Sequence, residues 1–406
     1  MKRRDLLRRL SLLPFAGSTV GAFFMPTAVQ AAPTGAKRNL FQELGVRTFI
    51  NAAGTYTFMT GSLMHDYVQE AWLEASKEFC LLDELQDKVG AKLAELTHAE
   101  AAVVTAGAFS GLTLGLAGIL TGTDVEKVKK LPHIGGTGMK SEVIYQKGHE
   151  IDYNHALTNT GCTMVAVENI ADVEKAINEK TAMLFFVNIL ANSGKISHEE
   201  WVALGRKHGI PTAIDIAADV PPVENLWKFN DMGFDFVVVS GGKAMRGPQS
   251  AGVLMGRKKI IEAARLHMPP RGFNIGRGMK VNKEEVVAMY VAIEQFIKHD
   301  HAKDYKIWGE RIAHIENAVK GLPGVSTNVT TPELGNVTPT LEVSWKEDLV
   351  KMKPKDLQER LRNGQPSIEV AGGKENSVNI TAWVMKAGEE KIVARRLKEE
   401  LSRAAV

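Results

Sequence analysis

The chain has 406 residues, of which 44% are hydrophobic and 24% are charged, which is typical of a globular protein with room for two domains. Residues 1–31 carry five basic side chains and one aspartate, so the formal charge of +3 for the whole chain leaves about −1 for the remainder. A near-neutral remainder offers no broad electrostatic surface for nucleic acid, and the body of the chain contains no apolar run of about eighteen residues that could span a membrane.

The amino terminus has the pattern of an export signal. Paired Arg3 and Arg4 precede two leucines, an uncharged stretch runs from Leu10 to Ala31, and small residues close it where a signal peptidase would cut. The pattern resembles a twin-arginine signal, with an ordinary basic amino terminus or a Sec-type signal as the alternatives. We therefore expect residues 1–31 to be removed on export and the mature protein to be periplasmic.

The segment from Ala101 to Leu114 predicts a strand, a turn of small residues and an apolar helix. Ala106, Gly107 and Ala108 would leave backbone N–H groups accessible at the start of the helix, where the helix dipole favours an anion. The same small residues also suit tight packing, which is the alternative. The turn is a candidate phosphate site.

Strands and helices then alternate along the chain, as expected for a mainly parallel sheet with helices on both faces. The predicted strands are 164–167, 182–187, 211–216, 236–239 and 251–255, and the predicted helices are 171–177 and 198–208. The expected fold class is therefore α/β.

Two charged residues belong to the ends of apolar strands. Asp215 is the one charged member of the run Pro211–Ile216, and Lys243 follows the run Phe236–Val239 after small residues. Ligands collect at the carboxyl ends of parallel strands, and a carboxylate in an apolar strand needs a cation. A pyridoxal phosphate enzyme requires such a pair, because the lysine forms the Schiff base and the aspartate keeps the pyridine nitrogen protonated. A turn-capping aspartate and a solvated lysine are the alternative.

A loop rich in glycine, proline and cations follows, from Pro269 to Lys280. Arg277 and Lys280 are candidates for binding a substrate anion, because arginine presents a planar fork to carboxylate or phosphate and lysine adds a point charge. A solvated basic loop is the alternative.

The last third of the chain predicts a helical bridge and a smaller domain. Apolar residues recur with helical spacing between Lys283 and Lys303, strands are predicted at 341–345, 367–370 and 377–380, and an amphipathic helix is predicted at 389–401. Histidines and aspartates at 299–304 fit a solvated helix face, so we predict no metal site. Cys80 and Cys162 have contexts typical of packing, and their pairing stays open.

Three segments resemble the selenocysteine-synthase-like branch of fold-type I pyridoxal phosphate enzymes: Ser240–Gly252 around the lysine, Lys147–Ala156, and Asn51–Thr57. The resemblance runs from about Leu40 to the carboxyl terminus and is strongest to the group related to D-glucosaminate-6-phosphate ammonia-lyase. Selenocysteine synthase has an acidic residue before its lysine, whereas this chain has Gly242, which agrees better with the ammonia-lyase group.

The resemblance implies a fold-type I architecture, with an amino-terminal arm and a large cofactor domain at 32–285 and a smaller α+β domain at 286–406. It also implies a homodimer or higher homo-oligomer with the active site at the subunit interface, where Asn51 or Tyr56 would reach the partner's site.

The resemblance also implies pyridoxal 5'-phosphate as the cofactor. It makes Lys243 the Schiff-base lysine and Asp215 the partner of the pyridine nitrogen. His149 is expected against the cofactor ring or near its oxygen, although its own neighbourhood also suits a surface loop. The implied phosphate donors are the backbone of Ala106, Gly107 and Ala108 and the hydroxyl of Ser240, and the residues expected to bind substrate are Arg277, Lys280 and Asn51.

The expected activity is an α,β-elimination of the ammonia-lyase type on a small hydroxylated or acidic amino compound, with Lys243 removing the α-proton. A racemase or an aminotransferase would use the same residues. An exported binding protein on an inactivated enzyme fold is a further alternative, against which the intact Asp215 and Lys243 argue. The charge balance argues against a tRNA substrate.

Overall fold

The chain divides into two compact units, Met1–Thr48 and Phe49–Val406, and the computed structural model describes residues 38–406. The described part of the first unit contains the short helix α1 (Leu40–Glu43), which Asn39 caps by accepting a hydrogen bond from the Gln42 N–H. The predicted signal at residues 1–31 lies outside the described residues.

Regular elements cover most of residues 38–406. The strands are β1 (Ile50–Ala52), β2 (Ala101–Thr105), β3 (Glu142–Gln146), β4 (Thr163–Val167), β5 (Thr181–Val187), β6 (Thr212–Asp215), β7 (Phe236–Ser240), β8 (Gly252–Gly256), β9 (Val325–Thr330), β10 (Thr340–Trp345), β11 (Ile368–Gly372) and β12 (Ser377–Thr381). The further α-helices are α2 (Asp66–Ala75), α3 (Leu82–Leu96), α4 (Gly107–Thr121), α5 (Val125–Val128), α6 (His155–Thr158), α7 (Ile170–Ala176), α8 (His198–His208), α9 (Asn225–Met232), α10 (Lys258–Arg265), α11 (Lys283–Lys298), α12 (His301–Val319), α13 (Pro354–Arg362) and α14 (Glu389–Ala404). Short 3-10 helices span Thr57–Met59, Lys147–His149, Asp152–Asn154 and Asn188–Ser193.

The larger sheet has seven strands in the order β2-β8-β7-β6-β5-β3-β4. The strands from β7 to β4 in this order run parallel, whereas β8 is antiparallel to both of its neighbours, β2 and β7. The predicted α/β alternation and mainly parallel sheet are confirmed, and the antiparallel β8 is an addition that the sequence did not indicate. The carboxyl ends of β2, β5, β6 and β7 therefore meet at one edge.

Local signals fix the ends of the predicted helix α8. The Ser197 hydroxyl accepts a hydrogen bond from the Glu200 N–H, and the Glu200 carboxylate accepts one from the Ser197 N–H, which forms a capping box. Gly209 ends the helix in the left-handed region with φ 62°. The helix predicted from residue 198 to 208 has those bounds in the structure.

Each central strand of the larger sheet buries both faces. On one face, Ala213 and Val238 pack with Leu112 of α4. On the other, Ile214 packs with Met289 of α11. Because side chains alternate along a strand, residues an even number of positions away from Ala213 or Val238 share the face of α4.

The smaller sheet has five strands in the order β1-β11-β12-β10-β9. β1 is parallel to β11, and the other pairs are antiparallel. The predicted strands and terminal helix of this region are confirmed within a few residues. The amino-terminal strand β1 thus belongs to the carboxyl-terminal sheet, while the domain boundary at 285/286 stays a prediction.

Two further features are the lengths of the helices and the state of the two cysteines. No helix within residues 38–406 is long and apolar enough to cross a bilayer. Cys80 is exposed, Cys162 is buried, and both thiols are free in the structure.

Candidate active site

Lys243 lies in a tight turn that follows β7. The Ser62 N–H and hydroxyl donate hydrogen bonds to the Gly242 carbonyl at 3.0 and 3.1 Å, and the hydroxyl also contacts the Lys243 carbonyl at 2.8 Å. A Cβ at Gly242 would lie 2.5 Å from the Gln249 Cα, so a larger residue does not fit before the lysine. Packing in this turn therefore requires glycine before Lys243.

Asp215 ends β6, the strand next to β7, and is buried with 8% of its surface exposed. It lies two residues after Ala213, so its side chain falls on the face of α4. One carboxylate oxygen, Oδ1, accepts a hydrogen bond from the Ala217 N–H at 2.7 Å. Burial raises the pKa of Asp215, and the Ala217 N–H and the charge of Lys243 oppose that rise.

The charges of Asp215 and Lys243 each influence the pKa of the other group, but the two side chains form no ion pair. Burial lowers the pKa of Lys243, and the charges of Asp215 and Asp219 oppose this change. Within residues 38–406, no carboxylate oxygen lies within 4.0 Å of the Lys243 Nζ. The predicted pair therefore interacts through its charges without a direct ion pair.

The first turn of α4 forms the candidate phosphate site. Ala106 caps the helix without a side-chain hydrogen bond, and the first turn contains no acidic residue. Gly107 has φ +81°, a conformation that favours glycine, and a Cβ at Gly252 would lie 2.8 Å from the Ala108 nitrogen. Ser240 lies two residues after Val238 and so shares the face of α4. The backbone N–H groups of this turn are thus free of side-chain caps in the described chain.

These residues fit pyridoxal phosphate. Lys243 offers an amine with a lowered pKa, Asp215 offers a buried carboxylate for the ring nitrogen, and the helix start offers donors for a phosphate. All three belong to the same edge of the larger sheet, after β7, β6 and β2.

A cavity of about 420 Å³ opens in front of Lys243. Its wall includes two tyrosines that the sequence analysis did not assign to the site of this chain, Tyr56 and Tyr153, and the indole of Trp383. Tyr153 is 59% exposed and lies in the segment resembling the family, four residues after His149. Its position within Lys147–Ala156, the segment that resembles the family, was the sequence signal that could have identified it.

Asp219 is a second buried carboxyl group near Lys243, with 1% of its surface exposed. Its Oδ1 accepts a hydrogen bond from the Gly335 N–H at 3.1 Å, and its Oδ2 has no partner among the described residues. Burial raises the pKa of Asp219 to about 7, the Asn188 amide beside it lowers it, and the charge of Asp215 raises it further. The sequence signal for a second carboxyl group near Lys243 was the position of Asp219, four residues after Asp215.

The structure does not bring His149 to the cavity that Lys243 lines. Its ring is fully buried, packs against Phe186 with 4.4 Å between ring centroids, and accepts a hydrogen bond at Nδ1 from the Val187 N–H at 3.3 Å. Phe186 belongs to the face of the sheet opposite α4. Burial, with a contribution from the charge of His198, lowers the pKa of His149 to about 4.

The three predicted substrate residues also lie apart from the cavity wall. Arg277 and Lys280 are exposed on the loop before α11. The Asn51 side chain accepts hydrogen bonds from the N–H groups of Ala53 and Gly54, both at 3.0 Å, and donates to the Gly54 carbonyl at 2.8 Å. Asn51 therefore stabilises the turn at Ala53 and Gly54, and these two residues line the cavity.

The chain is similar to known proteins over most of its length. The family model described as SelA, L-seryl-tRNA selenium transferase, matches residues 50–307. The chain is 27% identical over 380 residues to D-glucosaminate-6-phosphate ammonia lyase of Salmonella typhimurium, covering 90% of this chain and 99% of that protein. It is also 27% identical over 383 residues to 5'-C-glycyluridine monooxygenase-decarboxylase of a Streptomyces species, covering 91% and 93%.

Solved structures agree with these sequence relationships. The structure of D-glucosaminate-6-phosphate ammonia-lyase matches with a TM-score of 0.79 and 26% identity, covering 91% of this chain and 100% of that one. A NifS-like protein matches with a TM-score of 0.58 and 15% identity, covering 88% and 100%, and supports the fold alone. The resemblance predicted from the sequence is thus confirmed, and the chain belongs to the SelA family of pyridoxal phosphate-dependent enzymes with their fold-type I architecture.

Proposed function

We propose that the protein is a pyridoxal phosphate-dependent lyase that releases ammonia from a small hydroxylated or acidic amino compound. The observation that carries the proposal is the pair of Asp215, buried at the end of β6, and Lys243, half-buried in the turn after the adjacent strand β7, which form no ion pair with each other. The similarity to an ammonia lyase over 90% of the chain supports this choice within the family.

Asp215, the first turn of α4 and Lys243 would each have a separate role in the reaction. When bound, pyridoxal phosphate supplies an electron sink for the bonds at the substrate's α-carbon. Asp215 keeps the ring nitrogen protonated, and the first turn of α4 holds the phosphate. Lys243, with its pKa lowered by burial, has a larger neutral fraction at pH 7 and removes the α-proton.

The elimination balances without a further reactant. Lys243 takes the α-proton and delivers it to the departing β-hydroxyl, so that the β C–O bond breaks and water leaves. Addition of one water to the resulting unsaturated amine then yields the keto product and ammonia. The net reaction consumes no oxidant and needs no keto-acid acceptor.

Ammonia release without an acceptor is the test. The mature protein, loaded with pyridoxal phosphate, is incubated with D-serine-like compounds and amino-sugar acids while ammonia and keto product are measured, with Lys243→Ala as the control. Stoichiometric ammonia and keto product from the wild type would support the lyase. Turnover only with a keto-acid acceptor would identify an aminotransferase, and inversion without ammonia a racemase.

Similarity to the monooxygenase-decarboxylase suggests one further outcome to test. Oxygen uptake and carbon dioxide release without ammonia would contradict the lyase and favour chemistry of that kind. A protein that stays colourless with added cofactor would favour the non-catalytic binding protein.

Export through the twin-arginine route is a separate proposal, based on Arg3 and Arg4 and the uncharged stretch to Ala31. The route suits a protein that acquires its cofactor before export, because it transports folded chains. Replacing both arginines with lysine should retain the full-length protein in the cytoplasm. Unchanged export would refute the route.

A further inference from the structure

A second cavity, of about 290 Å³, adjoins the one that contains Lys243. Trp383 lines both cavities. The charged and titratable residues around the second cavity include His65, Arg246, His299, Asp304, Arg311 and Lys386. None of these residues has a role in the reaction proposed above.

Arg246 connects this cavity to the catalytic lysine. The Arg246 N–H donates a hydrogen bond to the Lys243 carbonyl at 2.9 Å, which closes a turn and brings the two Cα atoms within about 7 Å. Arg246 has φ +49°, in the left-handed region, which costs a residue with a side chain about 1 kcal/mol. Glycine would fit this backbone better, so the side chain at this position has a use.

The guanidinium of Arg246 is only partly satisfied by the protein. Its Nε donates to the Leu63 carbonyl at 2.7 Å. Its two terminal nitrogens have no hydrogen-bond partner among residues 38–406, and no carboxylate of that region lies within 4.0 Å. Burial lowers the pKa of Arg246, with Tyr67 the largest opposing influence. A half-buried cation thus presents unused donors to the cavity.

Positive side chains outnumber carboxylates in the described wall of the second cavity, where Arg246, Arg311 and Lys386 face one aspartate, although Glu390 outside the wall lies 3.9 Å from the Arg311 Nε. Asp304 pairs with His299 at 2.9 Å, and this side chain is the one carboxylate among the described residues that line the cavity. Burial lowers the pKa of His65 to about 4, with the charge of Arg246 as a smaller cause. The charge of Asp66 raises the pKa of Arg246, but Asp66 does not line the cavity.

Arg311 fixes the wall between the two cavities. Its Nη1 donates hydrogen bonds to the carbonyls of Met385 at 2.8 Å and Ala382 at 3.4 Å, on either side of Trp383. The Trp383 ring also contacts Trp308 of α12, with 6.4 Å between centroids. Arg311 therefore positions the indole, and its Nε lies 3.9 Å from the Glu390 carboxylate, whereas neither terminal nitrogen of Arg246 has a partner among the described residues.

We propose that this cavity binds a carboxylate or phosphate through the terminal nitrogens of Arg246, and that the bound group is the acidic end of the substrate. The second half rests on the proposed function. Arginine matches the geometry of both anions, and an unpaired guanidinium is stabilised by either. Lys243 lines the first cavity and Arg246 the second, with Trp383 in the wall of both, so the substrate class is an amino compound whose acidic group extends past Trp383 from the amine.

Anion binding tests the cavity independently of turnover. Inorganic phosphate and succinate are titrated calorimetrically into the cofactor-loaded protein at low ionic strength, so that the phosphate site at α4 is already filled. The wild type should bind one equivalent of at least one anion, and Arg246→Gly should weaken that binding at least about tenfold. Glycine removes the guanidinium and suits the φ of +49°, and the relief of backbone strain offsets the lost hydrogen bond to the Leu63 carbonyl, so this variant should fold.

A matched control removes an arginine elsewhere. Arg395→Gln disrupts an exposed pair with Glu399 and should leave anion binding unchanged. Equal binding by Arg246→Gly and the wild type, or no binding by the wild type, would overturn the proposal.

Kinetics separate the cavity from the proposed function. With a substrate from the ammonia screen, succinate or phosphate should compete, and Arg246→Gly should raise KM about tenfold or more with a smaller change in kcat. Anion binding without competition would overturn the assignment to the substrate. Arg246-dependent binding in a protein that releases no ammonia would support the cavity and refute the lyase.

Discussion

Replacing Asp219 with asparagine tests how burial controls charge beside Lys243. Burial raises the pKa of the Asp219 carboxyl from 3.8 to about 7. A folded-state pKa above the unfolded one means that the folded protein binds this proton more tightly. Its stabilising effect is complete below pH 4 and is lost as pH rises to about 7. About three pKa units at about 1.36 kcal/mol each amount to about 4 kcal/mol, of which roughly 2.5 kcal/mol falls between pH 5 and pH 8.

Urea unfolding of the protein without cofactor measures this loss directly. Asparagine keeps the shape of the protonated carboxyl and does not ionise, so Asp219→Asn should gain roughly 2.5 kcal/mol over the wild type between pH 5 and pH 8. Asp348→Asn, at an exposed position, controls for the change of residue and should follow the wild type. Parallel pH profiles for Asp219→Asn and the wild type would refute the reasoning.

Three other substitutions examine the cofactor site. Lys243→Ala should lack the near-ultraviolet or visible band that borohydride abolishes in the wild type, and a persistent reducible band would exclude Lys243 as the attachment point. Asp215→Asn should retain the cofactor but lose about 100-fold or more in kcat, because an amide does not hold the ring nitrogen protonated, and near-normal kcat would refute this role. Gly252→Ala should weaken cofactor binding and cost about 1–3 kcal/mol of stability, since its Cβ would lie 2.7 Å from the Gly107 carbonyl carbon. Gly309→Ala, in the open middle of α12, should instead stabilise by about 0.5–1 kcal/mol, and equal effects in both glycine variants would contradict the packing argument.

Signals that lie within one segment predicted the fold well. The bounds of α8 follow from a serine cap and a terminal glycine, and β7 follows from an unbroken run of apolar residues before Lys243. These features depend on neighbours in the sequence, so reading the sequence alone suffices. The antiparallel direction of β8 depends on pairing with β2, and no local pattern encodes it.

The candidate site divides in the same way. Asp215 and Lys243 were identifiable because each interrupts or follows an apolar strand. His149 stands between glycine and glutamate, a neighbourhood typical of a surface loop, yet its ring is fully buried against Phe186. The role of Asp219 depends on Gly335, 116 residues later, so only the folded chain reveals it.

Strand β1 ties the beginning of the described chain to its end. Ile50 pairs with Ile368 across 318 residues, and β11 is the strand beside β1 in the smaller sheet. Closing so long a loop costs conformational entropy before any contact is gained, which slows this pairing relative to the local elements. During synthesis, Ile50–Ala52 stays without its partner until translation has passed Gly372. The smaller sheet therefore cannot be completed before β11 has been translated.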